Sequence, residues 1–448
     1  MTTITITQTF TSKTRNGGGG TPPSNITAPV ISGSSVIGSV LTTTDGTWAG
    51  TLPITYTYQW KRNGSDIVGE INATYTLVAA DYNQAITCEV TATNAFGAAS
   101  ATSNSITGTA TAPVNTVAPV ISGTAVVGQT LSSTTGTWTG TPTITYAYQW
   151  KRNGGNIASA TSSTYTLVQA DATFAITCEV TATNPAGVAS ATSNALTITD
   201  ADAQAFFTAS GLTGATNLTA INNLVVALKG FGIWTKMKAI YPMVGGTAAL
   251  HKWNLKDPQD TNAAFRLVFA GGWTHSATGA LPNGTNSFAN TYLDSVTIGS
   301  TGSLSYYSRT NLLTAAINID IGNLKTVPDS FSDLQIEGHV GYLFRYNNDG
   351  SSVTSSAITD SRGFFLGSRT TNNVSYRNGI QLNSYNIAYN QTSNIPFYIG
   401  SSNFNGTATY FANRECAFAS LGTGLTGTEA ANFYTAVQAY QTTLSRQV

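Results

Sequence analysis

Charged residues are scarce in this 448-residue chain, where Asp, Glu, Lys and Arg make up only 9% of the sequence. Ordinary soluble domains carry about 25% charged residues. The 20 basic and 20 acidic residues also balance, so no net field exists to attract nucleic acid or an anionic membrane. Because no run of 18 apolar residues occurs, we expect no membrane insertion either.

Cysteine and histidine are almost as rare, with three of each in the chain. The histidines do not have the spacing of zinc ligands, and the sequence shows no Ser-His-Asp or Cys-His catalytic arrangement. We therefore expect no metal and no cofactor. Cys88, Cys178 and Cys416 are interpreted as small buried hydrophobic residues, which suits folding in a reducing cytosol. Residues 1–10 also lack the basic and apolar segments of a secretory signal.

A tandem duplication organises the first half of the chain. The heptapeptide at residues 58–64, Tyr-Gln-Trp-Lys-Arg-Asn-Gly, returns unchanged at residues 148–154, an offset of 90 residues. This period is too long for a solenoid unit of roughly 20 to 50 residues and close to the ~100 residues of an immunoglobulin-type sandwich. Apolar residues alternate with polar ones from Ile86 to Val90, as in a half-buried strand. Trp60 and Trp150 are the expected core tryptophans.

The repeats share the patterns Pro-x-Ile-Ser-Gly, Gly-Thr-Trp, Tyr-Gln-Trp and Tyr-Thr-Leu, placed before the cysteine strand. With these motifs residues 27–199 resemble the tandem immunoglobulin-like domains of bacterial and bacteriophage surface proteins. The resemblance implies one sandwich at 27–110 and another at 117–199. Each repeat holds one cysteine, so no intradomain disulfide can form, and an isoleucine replaces the tyrosine-corner residue. A short linker at Pro113–Thr116 predicts a roughly collinear stalk.

Residues 1–26 are interpreted as an anchoring arm and a Gly/Pro linker. Ile4, Ile6 and Phe10 fall on one side of an extended strand, with threonines opposite. A lone strand cannot bury its own apolar face, so the arm should pair with a neighbouring copy or a foreign sheet edge, unless it is a frayed tail. Gly17 to Gly20 form a hinge that separates the arm mechanically from the rest of the chain.

From residue 200 to residue 448 the spacing of apolar residues differs from that of the repeats, and it predicts a mainly β domain with a few helices. A short helix is expected at 202–209, and a second has apolar residues at helical spacing and ends at Gly230. Many short strands, among them 264–269, 304–307 and 363–366, predict a sandwich or jelly roll. The final helix has a capping box, Thr426 with Glu429, and an apolar stripe that packs on the sandwich or zips with other copies. The apolar residues of the two longer helices are Ile221, Leu224, Val225, Leu228, Phe433, Val437, Tyr440 and Leu444.

Three later segments, 374–379, 397–400 and 411–418, resemble the last strands of concanavalin A-like and laminin-G-type jelly rolls. The segments 233–242, 253–257 and 413–418 resemble C-terminal domains of bacteriophage structural proteins. The fold class expected from both resemblances is mainly β: two tandem Ig-like sandwiches followed by a concanavalin A-like jelly roll with a few flanking helices. The resemblance also implies a virion-borne domain that faces carbohydrate.

Glucanases on this fold carry their catalytic carboxylates in the motif Glu-x-Asp-x-x-Glu on one strand. That motif is absent. Asp333 and Glu337 could share a strand face, but they would stand about 13 Å apart, beyond the roughly 5 to 9.5 Å that glycoside cleavage requires. Both are interpreted as solvated carboxylates, and the protein as not an enzyme. The segment 347–350 lacks the other positions of a calcium loop and is interpreted as a hairpin turn.

Aromatic residues with amide or guanidinium neighbours are the expected sugar-binding groups. An exposed ring can stack on a sugar face while Asn and Arg bond its hydroxyls, although many aromatics of a jelly roll are simply core. The candidates are Trp273, Tyr306, Tyr307, Arg309, Tyr376 and Asn378.

The function expected from the sequence is that of a bacteriophage virion structural protein, a projecting fibre, spike or head decoration. Its partners would be other virion proteins of the capsid or tail, held through the arm, further copies of itself, and a host-surface glycan. It would reside on the virion surface after assembly in the host cytoplasm. The alternatives are a polysaccharide-degrading tail enzyme and a bacterial surface adhesin.

Overall fold

The computed structural model describes residues 19–141, 143–313, 317–326, 329–337, 341–348, 357–386 and 392–448. The predicted arm with Ile4, Ile6 and Phe10 lies outside these residues. Two compact units make up the chain. One runs up to Ser122 and includes 132–165 and 177–195, and the other comprises 123–131, 166–176 and 196–448.

The first repeat folds as an immunoglobulin-like sandwich. One sheet has the order β2-β3-β7, and the facing sheet has the order β6-β5-β8 with both β9 and β10 paired to β8. Trp60 is fully buried and stacks on Tyr75 with ring centroids 5.4 Å apart, as expected of the core tryptophan. The strands are β1 Ser24–Thr27, β2 Ile31–Ser32, β3 Val40–Thr43, β4 Thr47–Ala49, β5 Thr55–Arg62, β6 Ser65–Asp66, β7 Thr74–Thr76, β8 Ala85–Asn94, β9 Gly97–Thr102 and β10 Ile106–Thr107.

The second repeat has the same strand order, and Trp150 is again fully buried. The prediction of a linker at Pro113–Thr116 is wrong, because β11 pairs with β14 in this region and gives its backbone groups partners. The strands are β11 Val114–Val117, β12 Ile121–Ser122, β13 Thr130–Ser133, β14 Thr137–Thr139, β15 Thr145–Arg152, β16 Gly155–Asn156, β17 Thr164–Thr166, β18 Ala175–Asn184, β19 Gly187–Thr192 and β20 Leu196–Thr197.

The connection between the two repeats is therefore very short. The Thr109 amide donates to the Ser35 carbonyl at 2.7 Å, which fixes Thr109 to the first sandwich. The Thr111 amide donates to Thr141 Oγ1 at 2.6 Å, which fixes Thr111 to the second. Only Ala110 separates these two attachments.

The C-terminal domain contains the three longer helices that the sequence predicts. Gly230 ends α2, and Thr426 caps α5 in a reciprocal capping box with Glu429. The helices are α1 Ala201–Ser210, α2 Ala215–Gly230, α3 Ala248–His251, α4 Ser295–Ile298 and α5 Gly427–Thr443. Among the described helices, none is both long and apolar enough to cross a membrane.

The described strands of this domain form two sheets. One, the helix-covered sheet, has the order β23-β24-β36-β26-β30-β31-β32 with β21 on β36, and the other, the outer sheet, has the order β22-β25-β33-β27-β28-β29 with β34 and β35 attached. The strands are β21 Met237–Tyr241, β22 Val268–Ala270, β23 Trp273–Ser276, β24 Gly279–Pro282, β25 Phe288–Asn290, β26 Gly302–Ser308, β27 Ile319–Thr326, β28 Asp329–Glu337, β29 Gly341–Asn348, β30 Gly363–Arg369, β31 Asn373–Arg377, β32 Ile380–Tyr385, β33 Tyr398–Ile399, β34 Ser402–Phe404, β35 Thr407–Thr409 and β36 Cys416–Gly422.

The two sheets pack face to face as a jelly-roll sandwich, so the expected fold class is confirmed. Tyr306 and Phe365 of the helix-covered sheet share a core with Leu334 and Phe344 of the outer sheet. All of these side chains are fully buried, which is the main hydrophobic stabilisation of a sandwich.

Helices α1, α2 and α5 cover the other face of the helix-covered sheet and make a third layer. Phe364 and Phe418 of that sheet contact Phe433 of α5 edge to face, with centroids 5.3 and 6.0 Å apart. The stripe of α5 thus packs on the sandwich, as predicted. Since both faces of the sheet are covered, every residue of β26 is buried.

The three cysteines are free and buried, which confirms their interpretation as small hydrophobic residues. Burial raises the pKa of all three thiols. Each therefore stays protonated at neutral pH and is a poor nucleophile.

Candidate ligand-binding groove

A shallow groove of about 320 Å³ lies on the jelly-roll domain between α3 and the segment that leads into β22. This volume is at the lower end of the roughly 300 to 1,000 Å³ of small-molecule sites. The lining residues, which define the groove, are Ala248, Ala249, Lys252, Arg266, Leu267, Val268 and Phe269.

Two threonine caps shape the walls of the groove. Thr247 Oγ1 accepts the Leu250 amide at 3.3 Å and begins α3, and Thr261 Oγ1 accepts the Ala264 amide at 3.3 Å and begins a short turn. Phe265 then adopts a left-handed conformation with φ of 57°. The predicted strand at 264–269 is therefore reduced to β22. The Leu267 amide donates to the Lys252 carbonyl at 2.8 Å, which brings the two walls together.

Three charged side chains stand at the rim. Lys252 Nζ and Arg266 Nη1 each lie 2.6 Å from a different oxygen of Asp260. Arg266 Nε also donates to Asn262 Oδ1 at 3.2 Å. Lys252 and then Arg266 lower the pKa of the Asp260 carboxyl, so it is ionised at neutral pH. The rim therefore carries one net positive charge.

The apolar side of the groove continues into an aromatic cluster. The ring of Phe269 meets Trp273 and His275 edge to face, with centroids 5.2 and 4.7 Å apart. Lys252 Nζ lies 5.1 Å from the ring centroid of Trp253, within cation–π range. The groove thus joins an apolar floor to a polar, charged rim.

A histidine pair lies behind this cluster. His251, the last residue of α3, has its Nδ1 3.0 Å from Nδ1 of His275, and its Nε2 accepts the Gly246 amide at 3.2 Å. Because Nε2 of His251 is an acceptor, its proton is assigned to Nδ1, which donates to His275. Burial, then His275 and Arg446, lower the pKa of His251 to about 3, and burial lowers that of His275. Both rings are neutral at physiological pH.

Of the six sugar-binding candidates from the sequence, Trp273 lies beside the groove but does not line it. Its ring is half-buried and touches Phe269. The indole Nε1 donates to the carbonyls of Ala270 and Phe288 at 3.0 and 3.2 Å, which fixes the ring in place.

The three tyrosine candidates are core residues, and their interpretation as exposed stacking platforms is wrong in this structure. Tyr306 and Tyr307 are completely buried, and Tyr376 is only 4% exposed. Tyr306 faces the outer sheet, whereas Tyr307 and Tyr376 face the helical layer. Tyr306 is therefore buried between the two sheets, whereas Tyr307 and Tyr376 are buried by the third layer, which covers the face that a two-layer sandwich would leave open.

Neither Arg309 nor Asn378 lines the groove, and both side chains bond to other parts of the domain. Arg309 Nη1 pairs with Glu415 at 2.9 Å, and Nε donates to the Arg446 carbonyl at 2.9 Å. Asn378, at a φ of 50°, turns the chain between β31 and β32, and its Oδ1 accepts the Phe364 amide at 2.9 Å. These contacts brace the helix-covered sheet and the C-terminal segment.

Asp333 is not the solvated carboxylate that the sequence suggested. It is fully buried, and the register of β28 and β29 places it opposite Arg345, which neutralises its charge. Arg345 Nε donates to Oδ1 at 2.8 Å, and Gln335 Nε2 donates to Oδ2 at 2.7 Å. The side chain of Glu337 lies outside the described residues.

Two other expectations concern metals. Asn347 and Asn348 belong to β29, so the predicted turn does not begin at Asn347, and the rest of that segment lies outside the described residues. Within the part of the chain that the structure describes, no cluster of three or more His, Cys, Asp or Glu side chains could hold a metal ion.

Sequence reasoning missed the groove itself. Arg266 falls in a predicted strand, and Lys252 and Asp260 fall in a segment with no periodicity. The sequence feature that could have indicated the groove walls is the pair of capping threonines, Thr247 and Thr261, each of which begins a helical turn.

Neither a protein-family model nor a characterised protein sequence matches this chain significantly. Among solved structures, an I-band fragment of titin is similar over 40% of this chain and 66% of its own length, at 20% identity and a TM-score of 0.16. The N-terminal four Ig domains of Dscam1 match over 40% of this chain and 46% of theirs, at 14% identity and a TM-score of 0.22. A mutant of NanB sialidase from Streptococcus pneumoniae matches over 30% of this chain and 24% of its own, at 13% identity and a TM-score of 0.22. The Ig-like assignment rests on the strand order of the two repeats.

Proposed function

We propose that this chain is an adhesion protein whose jelly-roll domain binds a saccharide in the groove. The observation that supports this proposal is the combination of an apolar floor, Leu267 to Phe269, with the hydrogen-bond donors of Lys252 and Arg266 at the rim. A sugar ring has an apolar face for such a floor and hydroxyls for such a rim. Small-molecule sites in general combine an apolar lining with a few polar groups that orient the ligand.

The two Ig-like domains serve as a stalk in this proposal. Only Ala110 lies between the attachments of Thr109 and Thr111, so the connection resists bending more than a flexible linker does. A stalk with such a joint holds a binding domain away from the surface that carries it.

We further propose that the carrier is a bacteriophage particle, on which this protein forms a fibre, spike or head decoration. The resemblance of both halves of the sequence to phage proteins supports this, and the alternating residues 1–11 suit an arm that anchors on capsid or tail proteins. Free, buried cysteines are compatible with assembly in the host cytoplasm. Several copies per particle would strengthen weak binding by about 10² to 10⁴ through avidity.

Two alternatives compete with this proposal. A polysaccharide-degrading tail enzyme needs a free carboxylate pair, but Asp333 is held by Arg345 and Gln335. A bacterial surface adhesin would use the same groove on another carrier. Locating the labelled protein on intact particles by electron microscopy separates the phage proposal from the adhesin.

The groove itself can be tested with a variant that fills it. Ala249 is exposed on α3 and lines the groove, so Ala249→Trp should block it without entering the core. Ala205→Trp, at an exposed position of α1 outside the groove, is the matched control. On a glycan array, the wild type and Ala205→Trp should bind the same saccharides, and Ala249→Trp should lose them.

Two results would overturn this proposal. One is no binding of any saccharide by the wild type at millimolar concentration, and the other is equal binding by Ala249→Trp. We expect no reducing ends to be released from the bound polysaccharide, and sustained release would favour the enzyme.

A further inference from the structure

The charge balance of the groove is unusual because two cations share a single carboxylate. Lys252 and Arg266 both contact Asp260, and no other acidic side chain bonds to either cation within the described residues. The neighbouring His251 and His275 are neutral and neither add to nor offset this charge. One positive charge at the rim is therefore uncompensated.

The cations also keep unused hydrogen-bond donors. An arginine has five N–H donors and a lysine three. In the part of the chain that the structure describes, Arg266 uses Nη1 for Asp260 and Nε for Asn262, which leaves Nη2 without a bond. The Arg266 and Lys252 side chains are 31% and 26% exposed, so an incoming group can reach both from solvent.

We propose that this groove selects saccharides that carry a carboxylate, such as uronic acids and other acidic sugars. This inference rests on the proposed saccharide-binding function and names its ligand class. A carboxylate can accept the free donors of Arg266 and Lys252 in charge-assisted hydrogen bonds. It supplies the missing negative charge while the sugar ring covers Leu267 to Phe269. A neutral sugar leaves the charge uncompensated and gains only ordinary hydrogen bonds.

Asp260 competes with the ligand for the same two cations in this arrangement. Its side chain is 45% exposed, the most accessible of the three. Removing its charge frees both cations for the ligand. The proposal therefore predicts opposite effects from neighbouring substitutions, a pattern that general damage to the fold does not produce.

The experiment uses the full chain and one pair of probes, oligogalacturonate and its methyl ester. These share a sugar skeleton and differ in whether the carboxylate is free. We expect the acid to bind about tenfold more tightly than the ester, the value of one charge-assisted hydrogen bond. Arg266→Gln and Lys252→Gln should each remove most of this preference, whereas Asp260→Asn should increase affinity for the acid. Raising the salt concentration should weaken binding of the acid only.

The control is Lys238→Gln, which removes one positive charge at an exposed position of β21 outside the groove. It should leave the preference unchanged, and thermal melting checks that each variant is folded. Equal affinity for acid and ester overturns the acidic-sugar inference while saccharide binding survives. Weaker binding of the acid by Asp260→Asn also overturns it, because Asp260 would then be a ligand for sugar hydroxyls. No binding of any saccharide overturns the proposed function as well.

Discussion

Acid should destabilise the jelly-roll domain through the neutral histidine pair. The His251 ring is 1% exposed, accepts the Gly246 amide at Nε2 and donates from Nδ1 to His275. A second proton on His251 must go to Nε2, where it would meet the N–H of Gly246 instead of an acceptor. Burial, His275 and the positive charge of Arg446 lower the pKa of His251 from 6.5 to about 3.

The lowered pKa sets the direction of the pH effect. The unfolded chain takes up the proton near pH 6.5, but the folded domain does not until about pH 3. Acid therefore favours the unfolded state throughout that window, and stability that is complete above pH 6.5 falls as the pH approaches 3. Each pH unit in the window changes the free energy of unfolding by about 1.4 kcal/mol. At two units below the ordinary pKa the expected loss is about 2 to 3 kcal/mol.

The assay is urea unfolding at pH 7.5 and pH 4.5, for the wild type and for His251→Gln. Glutamine places a carbonyl oxygen near the position of Nε2, so it can still accept the Gly246 amide but does not titrate. Between the two pH values the wild type should lose about 2 kcal/mol more than the variant. His275 and Glu429, whose lowered pKa values also act in this window, are present in both proteins, so the difference between the two losses reports His251. Equal losses in the two proteins would show that His251 is not the titrating group.

Three further predictions concern stability and assembly. Reductant should leave the melting temperature unchanged within a few degrees, since the three cysteines are free, and a larger drop would reveal a disulfide. Asp320 and Arg414 form a fully buried, two-bond ion pair, so Asp320→Asn or Arg414→Met alone should cost about 3 to 5 kcal/mol. The double variant should cost less than the sum of the two, and additive losses would contradict the pairing. Removing residues 1–16 should leave a soluble, folded protein that no longer joins the particle, and normal incorporation would exclude the anchoring role.

The parts of the fold that could be predicted from the sequence are mostly those that local sequence patterns determine. The alternation in β8 and β18 and the apolar stripe of α2 depend on residues that are near one another in the chain. The same holds for the Thr426–Glu429 capping box, whose two bonds close within one turn. Such features are set by backbone periodicity and short-range hydrogen bonds, which any single sequence displays.

The errors arose where distant segments decide the environment. Tyr307 lies on the face of β26 that a two-layer sandwich would expose, but α5, which begins at Gly427, covers that face. Asp333 has a charge that favours solvent, but cross-strand register gives it Arg345 as a partner. Neither contact has a signal in the neighbouring residues. The groove was missed for the same reason, because a main-chain hydrogen bond joins its walls across 15 residues, from Lys252 to Leu267.

A single buried carboxylate, that of Asp200, fixes the start of the jelly-roll domain. The Thr199 amide donates to Ala125, and the next amide, that of Asp200, donates to Asn222 Oδ1 on α2. The Asp200 side chain caps α1, binds Lys229 on α2 at 2.7 Å and accepts Gln169 Nε2 at 2.7 Å. Burial raises the pKa of this carboxyl, but the hydrogen bonds from Lys229 and Gln169 lower it by more, so the net effect is a lowered pKa. The carboxyl therefore stays ionised and keeps these bonds at neutral pH. Since consecutive residues are held, no free linker exists between Thr199 and α1. The buried carboxylate therefore joins the first residues of this domain to both α1 and α2.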